Sequence, residues 1–148
     1  MKLRTVIATC IALAASVGVG AAQDKTGIHS AISVQFNASN VAAGTVYTVP
    51  AGKRLVIENA SGNCGVASPE KVRHSYLYFG NSGVNVAHAM VPVQTSDANS
   101  LSTFIISWSG RLYADAGPIQ MGASKNGSVV APAYACYLAI SGYLISVP

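Results

Sequence analysis

Alternation constrains this chain more than any other feature. Beyond Ala22, apolar and polar residues trade places along short runs, and clusters of Gly, Pro, Asn and Ser interrupt them. The interruptions come about every eight to twelve residues, and β-branched residues fill the intervals, which is an all-β pattern. The period is two rather than 3.6, so no segment after the first twenty-odd residues reads as a helix. The runs predict strands over 31–36, 45–49, 54–59, 72–79, 84–91, 101–108, 111–114, 119–123, 128–131 and 135–147. Short antiparallel strands of this kind each have one apolar face to hide. Two sheets stacked face to face hide them, so the expected fold is an antiparallel β-sandwich of jelly-roll or Greek-key type, ahead of a closed barrel.

The turn residues carry their own mechanisms. Ala51-Gly52 suits the centre of a type II turn, with Gly52 taking the positive φ. Gly80-Asn81-Ser82-Gly83 reads as a hairpin tip, Ser109-Gly110 as a second tight hairpin, and Asn126-Gly127 as the strongest two-residue turn signal. Gly142 lies inside the last run and marks a bulge or bend. Lys53 and Arg54 stand together between Pro50-Ala51-Gly52 and Leu55-Val56-Ile57. Pro50 ends one strand and Gly52 turns the corner, so the pair falls on the first exposed step of the next strand. It reads as a solvated corner rather than a ligand patch. Leu55 and Ile57 then share one face, and Arg54, Val56 and Glu58 the other. Arg54 and Glu58 are about 13 Å apart along a strand, so they must find partners on neighbouring strands.

The first residues set the compartment. MKLR is a short cationic start, Thr5 to Gly20 is uncharged and largely apolar, and Gly20-Ala21-Ala22 supplies small residues for a signal peptidase. This predicts a signal peptide over 1–22 and one mature domain over 23–148, exported to the periplasm or the extracellular medium. Lys2 and Arg4 leave with the signal, so seven basic residues face five acidic ones and the formal charge falls from +4 to +2. No Lys/Arg run longer than a pair survives, which argues against nucleic acid as a partner. No mature stretch has the apolar length of a membrane span. With Cys10 removed, Cys64 and Cys136 remain, and an oxidising compartment pairs them as one disulfide. Cys136, Leu138 and Ile140 share a face by alternation. The bond is therefore expected on the core side of the last strand, tying it to the loop after 54–59 and clipping the two layers together.

The segment VPAGKRLVIE, together with the C-terminal run from Cys136 through Ser141-Gly142-Tyr143-Leu144, resembles a pattern in small exported bacterial proteins whose function is uncharacterised. The resemblance implies export, a β-sandwich and a disulfide to the last strand. It brings no catalytic residue and no activity.

Functional chemistry is thinly marked. There is no G-x-S-x-G nucleophile motif. The carboxylates Asp24, Glu58, Glu70, Asp97 and Asp115 are scattered, whereas glycosidase chemistry needs two facing each other across a cleft. No cofactor motif is present, and enzymatic activity, though left open, is the weaker reading. His74 and His88 flank the Gly80–Gly83 tip. A three-residue turn would set them opposite each other as a weak metal pair, and a two-residue turn would set His74 opposite Ala89. Tyr76 and Tyr78 share a strand face with His74, and Tyr113 lies near Trp108 across the expected second hairpin. Tyr76, Tyr78, Trp108 and Tyr113 are thus the candidate ligand-binding residues, because sugar rings stack on aromatic faces. The expected function is a non-catalytic binding module for a carbohydrate or a cell-surface ligand. The alternative is a structural, assembly or adhesin-type subunit making protein–protein contacts, and a small hydrolase follows. The oligomeric state is not legible.

Overall fold

The structure is a computed structural model describing residues 25–37, 39–98, 100–127 and 134–147. The signal peptide expected over 1–22 and the strand expected at 128–131 lie outside the described residues. The rest is strand and turn, in the order β1 (Thr26–Gln35), β2 (Val41–Val49), β3 (Lys53–Ala67), β4 (Val72–Asn81), β5 (Val84–Met90), β6 (Val93–Ala98), β7 (Leu101–Ala114), β8 (Gly117–Lys125) and β9 (Ala135–Ser146). Among the described residues no helix is long and apolar enough to cross a membrane.

Two antiparallel sheets pack together, one in the order β1-β9-β3-β7-β6 and one in the order β2-β8-β4-β5. The pairing has a simple logic. β1 meets β9, β2 meets β8, β3 meets β7 and β4 meets β5, so the first half of the chain lies back along the second. Rolling that ribbon into two sheets makes a jelly roll, with β6 added at one edge. The inward residues form the core: Leu55, Ile57, Phe104, Ile106, Leu138 and Ile140 from the larger sheet meet Leu77, Phe79, Ile119 and Met121 from the smaller.

The Pro50–Lys53 corner forms as expected. The Lys53 N–H donates to the Pro50 carbonyl at 3.2 Å, and Gly52 sits at φ 72°. Lys53 reaches Ser146 Oγ at 3.0 Å, and Arg54 donates through Nε to Asp115 Oδ1 at 2.7 Å. Four sequence expectations need correction. First, Cys64 is not in a loop. β3 continues past Asn59 to Ala67, and Cys64 lies directly opposite Cys136 on β9, with Cα atoms 4.1 Å apart and both residues fully buried. The disulfide is on the core side, but it joins two neighbours within one sheet. It does not clip the layers together.

Second, Ser109-Gly110 is not a hairpin. β7 runs straight through it, and the register against β3 slips between Asn59↔Ser109 and Ile57↔Leu112. The Ser-Gly signal marks a bulge, and the Trp108 ring lies where a Gly110 side chain would be, within 2.6 Å of its Cβ position. Gly142 faces the same irregularity from β9, pairing with Ile57, and a Cβ there would run into the Val56 carbonyl. Third, the polar stretch from Thr95, outside every expected strand and read as a loop over 95–100, lies in an edge strand, Val93–Ala98. Fourth, Val56 is buried although it alternates away from Leu55 and Ile57. Its cross-strand neighbours Tyr113 and Tyr143 cover it from both sides.

The layers are joined by the core and by polar contacts at their margins. Ser30 Oγ on β1 donates to the Val46 carbonyl on β2 at 2.6 Å. Lys125 and Glu70 form a buried ion pair at 2.6 Å, beside the Phe36 ring. Asp115 accepts from Arg54 on β3 and from the backbone N–H of Ser82 at the β4–β5 tip, while its own N–H donates to the Gly80 carbonyl. One carboxylate thus bridges both sheets. The Ser82 N–H, and then Arg54, hold it below the usual carboxylate range. Asp97 is held low as well, by the hydroxyls of Ser68 and Ser102.

Two outcomes follow from these contacts. Cys64→Ser with Cys136→Ser opens the covalent loop between residues 72 apart in sequence. Chain-entropy reasoning puts the loss at about 4 kcal/mol, measurable by denaturant titration of the oxidised and doubly substituted proteins. For Asp115 and Asp97, a folded pKa below the unfolded value means that stability is present above about pH 4 and is lost as pH falls through the folded value. Asp115→Asn flattens that acid limb in melts recorded across pH. An unchanged limb would show that Asp115 is not the group responsible.

Candidate functional site

The side chains that point away from the core on the five-stranded sheet make a shallow trough. Alternation places two cross-strand rows side by side on this face. One row runs Ala31, Ala139, Ser61, Ser107 across β1, β9, β3 and β7. The other runs Ser33, Tyr137, Asn63, Ile105 and continues to Val93 on β6. The first row is small and forms a floor. The second is tall at Tyr137 and Ile105 and forms a wall. Without Val93, which stands on the next strand beyond Ile105, the two rows line a concavity of ≈ 580 Å³.

Its exposure is unusual for side chains of this kind. Tyr137 is 66% exposed, Val93 62% and Ile105 46%. The lining of the trough carries no charged residue. Ser33, Ser61, Asn63 and Ser107 make no side-chain hydrogen bond to another described residue. Polar groups elsewhere on this sheet are engaged: Asn59 Nδ2 donates to Ser141 Oγ at 3.4 Å, Thr95 Oγ1 to the Thr103 carbonyl at 3.3 Å, and Ser102 Oγ to Asp97 at 3.0 Å. The trough therefore combines an exposed aromatic ring, aliphatic surface and uncommitted neutral donors and acceptors. That chemistry suits stacking and hydrogen bonding.

The residues anticipated from sequence fall in three different places. Tyr76 and Tyr78 do share an outward face of β4 with His74, as expected, on the four-stranded sheet. Tyr76 lies across Gly122 of β8, within 2.6 Å of its Cβ position, and Tyr78 is partly exposed. Trp108 points inward and meets His88 across the gap between the sheets, in an edge-on ring contact with centroids 4.9 Å apart. Tyr113 is on the same outer face as the trough, but far from it: at about 3.4 Å per residue it lies ~27 Å along β7 from Ile105. The four aromatics do not build one surface.

The histidine pair is also corrected. The turn is Ser82-Gly83, both with positive φ, so Asn81 faces Val84 and His88 faces Leu77 rather than His74. His74 and His88 point to opposite faces of the sheet. Among the described residues no three or more His, Cys, Asp or Glu side chains cluster as metal ligands. His74 Nε2 instead lies 2.9 Å from Ser124 Oγ on the exposed face. No described carboxylate bonds the far ring nitrogen, and the pair stands on an open sheet rather than in a cleft. Of the carboxylates, Glu70, Asp97 and Asp115 each have their own internal partners.

Sequence reasoning missed Tyr137, Asn63 and Ile105. The signal for Tyr137 was present, because placing Cys136 and Leu138 in the core forces the residue between them outward. Asn63 was hidden by reading SGNCG as a loop.

No protein-family model matches the chain, and no curated protein matches it. Among solved structures it is similar to the virus-like particle of the extra small virus of the giant freshwater prawn Macrobrachium rosenbergii, at 12% identity and a TM-score of 0.40. The match covers 100% of this chain and 97% of that one. A likeness this distant carries no argument, and the jelly roll rests on the strand pairing alone.

Because the trough side chains are exposed and uncommitted, removing them should leave the fold intact. Tyr137→Ala and Asn63→Ala are expected to change stability by no more than about 0.5 kcal/mol, read from thermal melts.

Proposed function

We propose that the protein is an exported, non-catalytic binding module of the periplasm or extracellular medium, and that it takes a carbohydrate or other cell-surface ligand in the trough of the five-stranded sheet. One observation carries this reading: an exposed Tyr137 stands beside neutral polar groups that have no side-chain partner within the described fold. Such an arrangement is useful for holding a hydroxylated ligand with apolar faces. The disulfide is a bond of non-reducing compartments, in keeping with the signal-like start and with the resemblance to small exported bacterial proteins. Nucleic acid is no part of the reading, and neither is a membrane span once the signal has gone.

A second reading has an observation of its own. Val93, Ile105 and Tyr137 form a band of exposed apolar residues, which suits a structural, assembly or adhesin-type subunit contacting another protein. Screening the mature protein on a glycan array beside size-exclusion chromatography separates the two. A binding module gives saturable retention that Tyr137→Ala weakens on the order of tenfold, the loss of one central aromatic anchor. Large species on the column with no glycan retained would favour assembly instead.

A further inference from the structure

We infer that the trough takes an unbranched, uncharged oligosaccharide lying across the strands, with one ring stacked on Tyr137 and its hydroxyls shared among Asn63, Ser61 and Ser107. The inference rests on the binding-module reading above and names its ligand class.

The direction comes from the lining. Residues 31–33 of β1, 61–63 of β3, 105–107 of β7 and 137–139 of β9 contribute, one short stretch from each of four adjacent strands. The trough therefore runs perpendicular to the strands. Adjacent strands are about 4.8 Å apart, so its floor spans ~14 Å. Strand spacing is close to the length of one pyranose unit in an extended chain. Successive sugars then meet successive strands, and the floor holds about three of them.

The absence of charge comes from the same residues. No Lys, Arg, Asp or Glu lines the trough. A uronate, sialyl or phosphoryl group placed there would lose hydration and gain no counter-ion. The ion pairs of the described fold lie away from the trough, Arg54 with Asp115 and Lys125 with Glu70.

An unbranched chain follows from the profile. The wall of Tyr137, Asn63 and Ile105 stands along one side of a narrow row of Ala and Ser, so a substituent on that side would meet Tyr137 or Ile105. A peptide fits less well. Peptides bound to sheets draw most of their hydrogen bonds from backbone at an edge, and an outer face offers only side chains. Sugar hydroxyls rotate to suit Ser and Asn, and they keep water on the open side.

The test is isothermal titration of the mature, oxidised protein with neutral β-linked oligomers of glucose, xylose and N-acetylglucosamine, from monosaccharide to hexasaccharide. Oligouronates and branched mannans are run beside them. In the expected result affinity climbs with length to about the trisaccharide, on the order of tenfold above the monosaccharide, and then levels off. Amide NMR shifts should appear on β1, β9, β3 and β7 together. Tyr137→Ala and the floor-filling Ser107→Arg should each abolish the length dependence while the melting curve stays unchanged. Preference for oligouronates or branched mannans would overturn this inference and leave the binding-module reading standing. So would neutral binding that Ser107→Arg does not touch, or shifts running along one strand. Failure of every glycan would remove this inference together with the carbohydrate form of the reading above.

Discussion

The register of β3 is the constraint on which the rest of the larger sheet depends. β3 lies between β9 and β7 and is hydrogen-bonded to both. A slip of one residue would turn Ala60, Cys64 and Val66 out to water and bring Ser61 and Asn63 into the core. Two features forbid it. The disulfide pins Cys64 opposite Cys136 at one end, and at the other Gly142 alone lets β9 approach the Val56 carbonyl. Between them the chain takes up an irregularity. Leu55 and Ile57 face inward, and so do Ala60, Cys64 and Val66, which one unbroken alternation cannot achieve. The change of phase at Glu58 and Asn59 is what puts the correct face of both halves in the core. It also aims Asn63 and Ser61 at the trough.

The disulfide within a sheet and the contacts between sheets do different work. Joining β3 to β9 restricts the unfolded chain and fixes a register, but it does not resist separation of the layers. That resistance comes from burying Leu, Ile, Phe and Met side chains from both sheets, an energy set by area and indifferent to exact partners. The polar contacts at the margins add orientation. Arg54–Asp115 is about one-third exposed, and such pairs contribute little net stability. Its position matters more, because Asp115 holds the β4–β5 tip against the corner where β3 begins. Lys125–Glu70 is a different case. With the lysine fully buried, removing one partner strands a charge in the interior, so the pair is easier to keep than to break.

What the sequence reveals follows from how local each determinant is. The Pro50-Ala51-Gly52 corner, the Gly80–Gly83 hairpin and most strands were legible because turn chemistry and alternation act over a few residues. The pairing of Cys64 with Cys136 was legible by count. Reading failed where tertiary neighbours decide the outcome. SGNCG carries two glycines and two polar residues and looks like a loop, yet it is the middle of a central strand. Gly62 is there because Leu138 and Ile106 fill the space its side chain would need. Ser109-Gly110 has turn composition, but a bulge and a turn use the same residues, and only the partner strand distinguishes them. VQTSDA on β6 has no apolar alternation because an edge strand with one polar face has little to bury. The histidine pairing failed through misplacing the tip residues of one hairpin, a shift that carries every side chain to a new neighbour. The aromatic platform failed because alternation assigns each residue to a face but not each face to a sheet.

The same sparing use of charge that obscured function in the sequence gives the outer face its character. Several ionic side chains stand where two pieces of backbone are joined: Lys53 at Ser146, Lys71 at Gln94, Arg54 at Asp115 and Lys125 at Glu70. That leaves the lining of the trough neutral. The neighbouring edge is closed to strand addition by other means, with Pro92 before β6, a register shift within it and Asp97 upon it. A partner approaching this side of the molecule therefore meets side chains rather than free backbone. Recognition by side chains alone, over a floor of Ala and Ser and beside one exposed tyrosine, selects for ligands that carry their own rotating donors and acceptors and present a flat apolar surface to the ring. Neutral sugars, the ligand proposed above, satisfy both requirements at once.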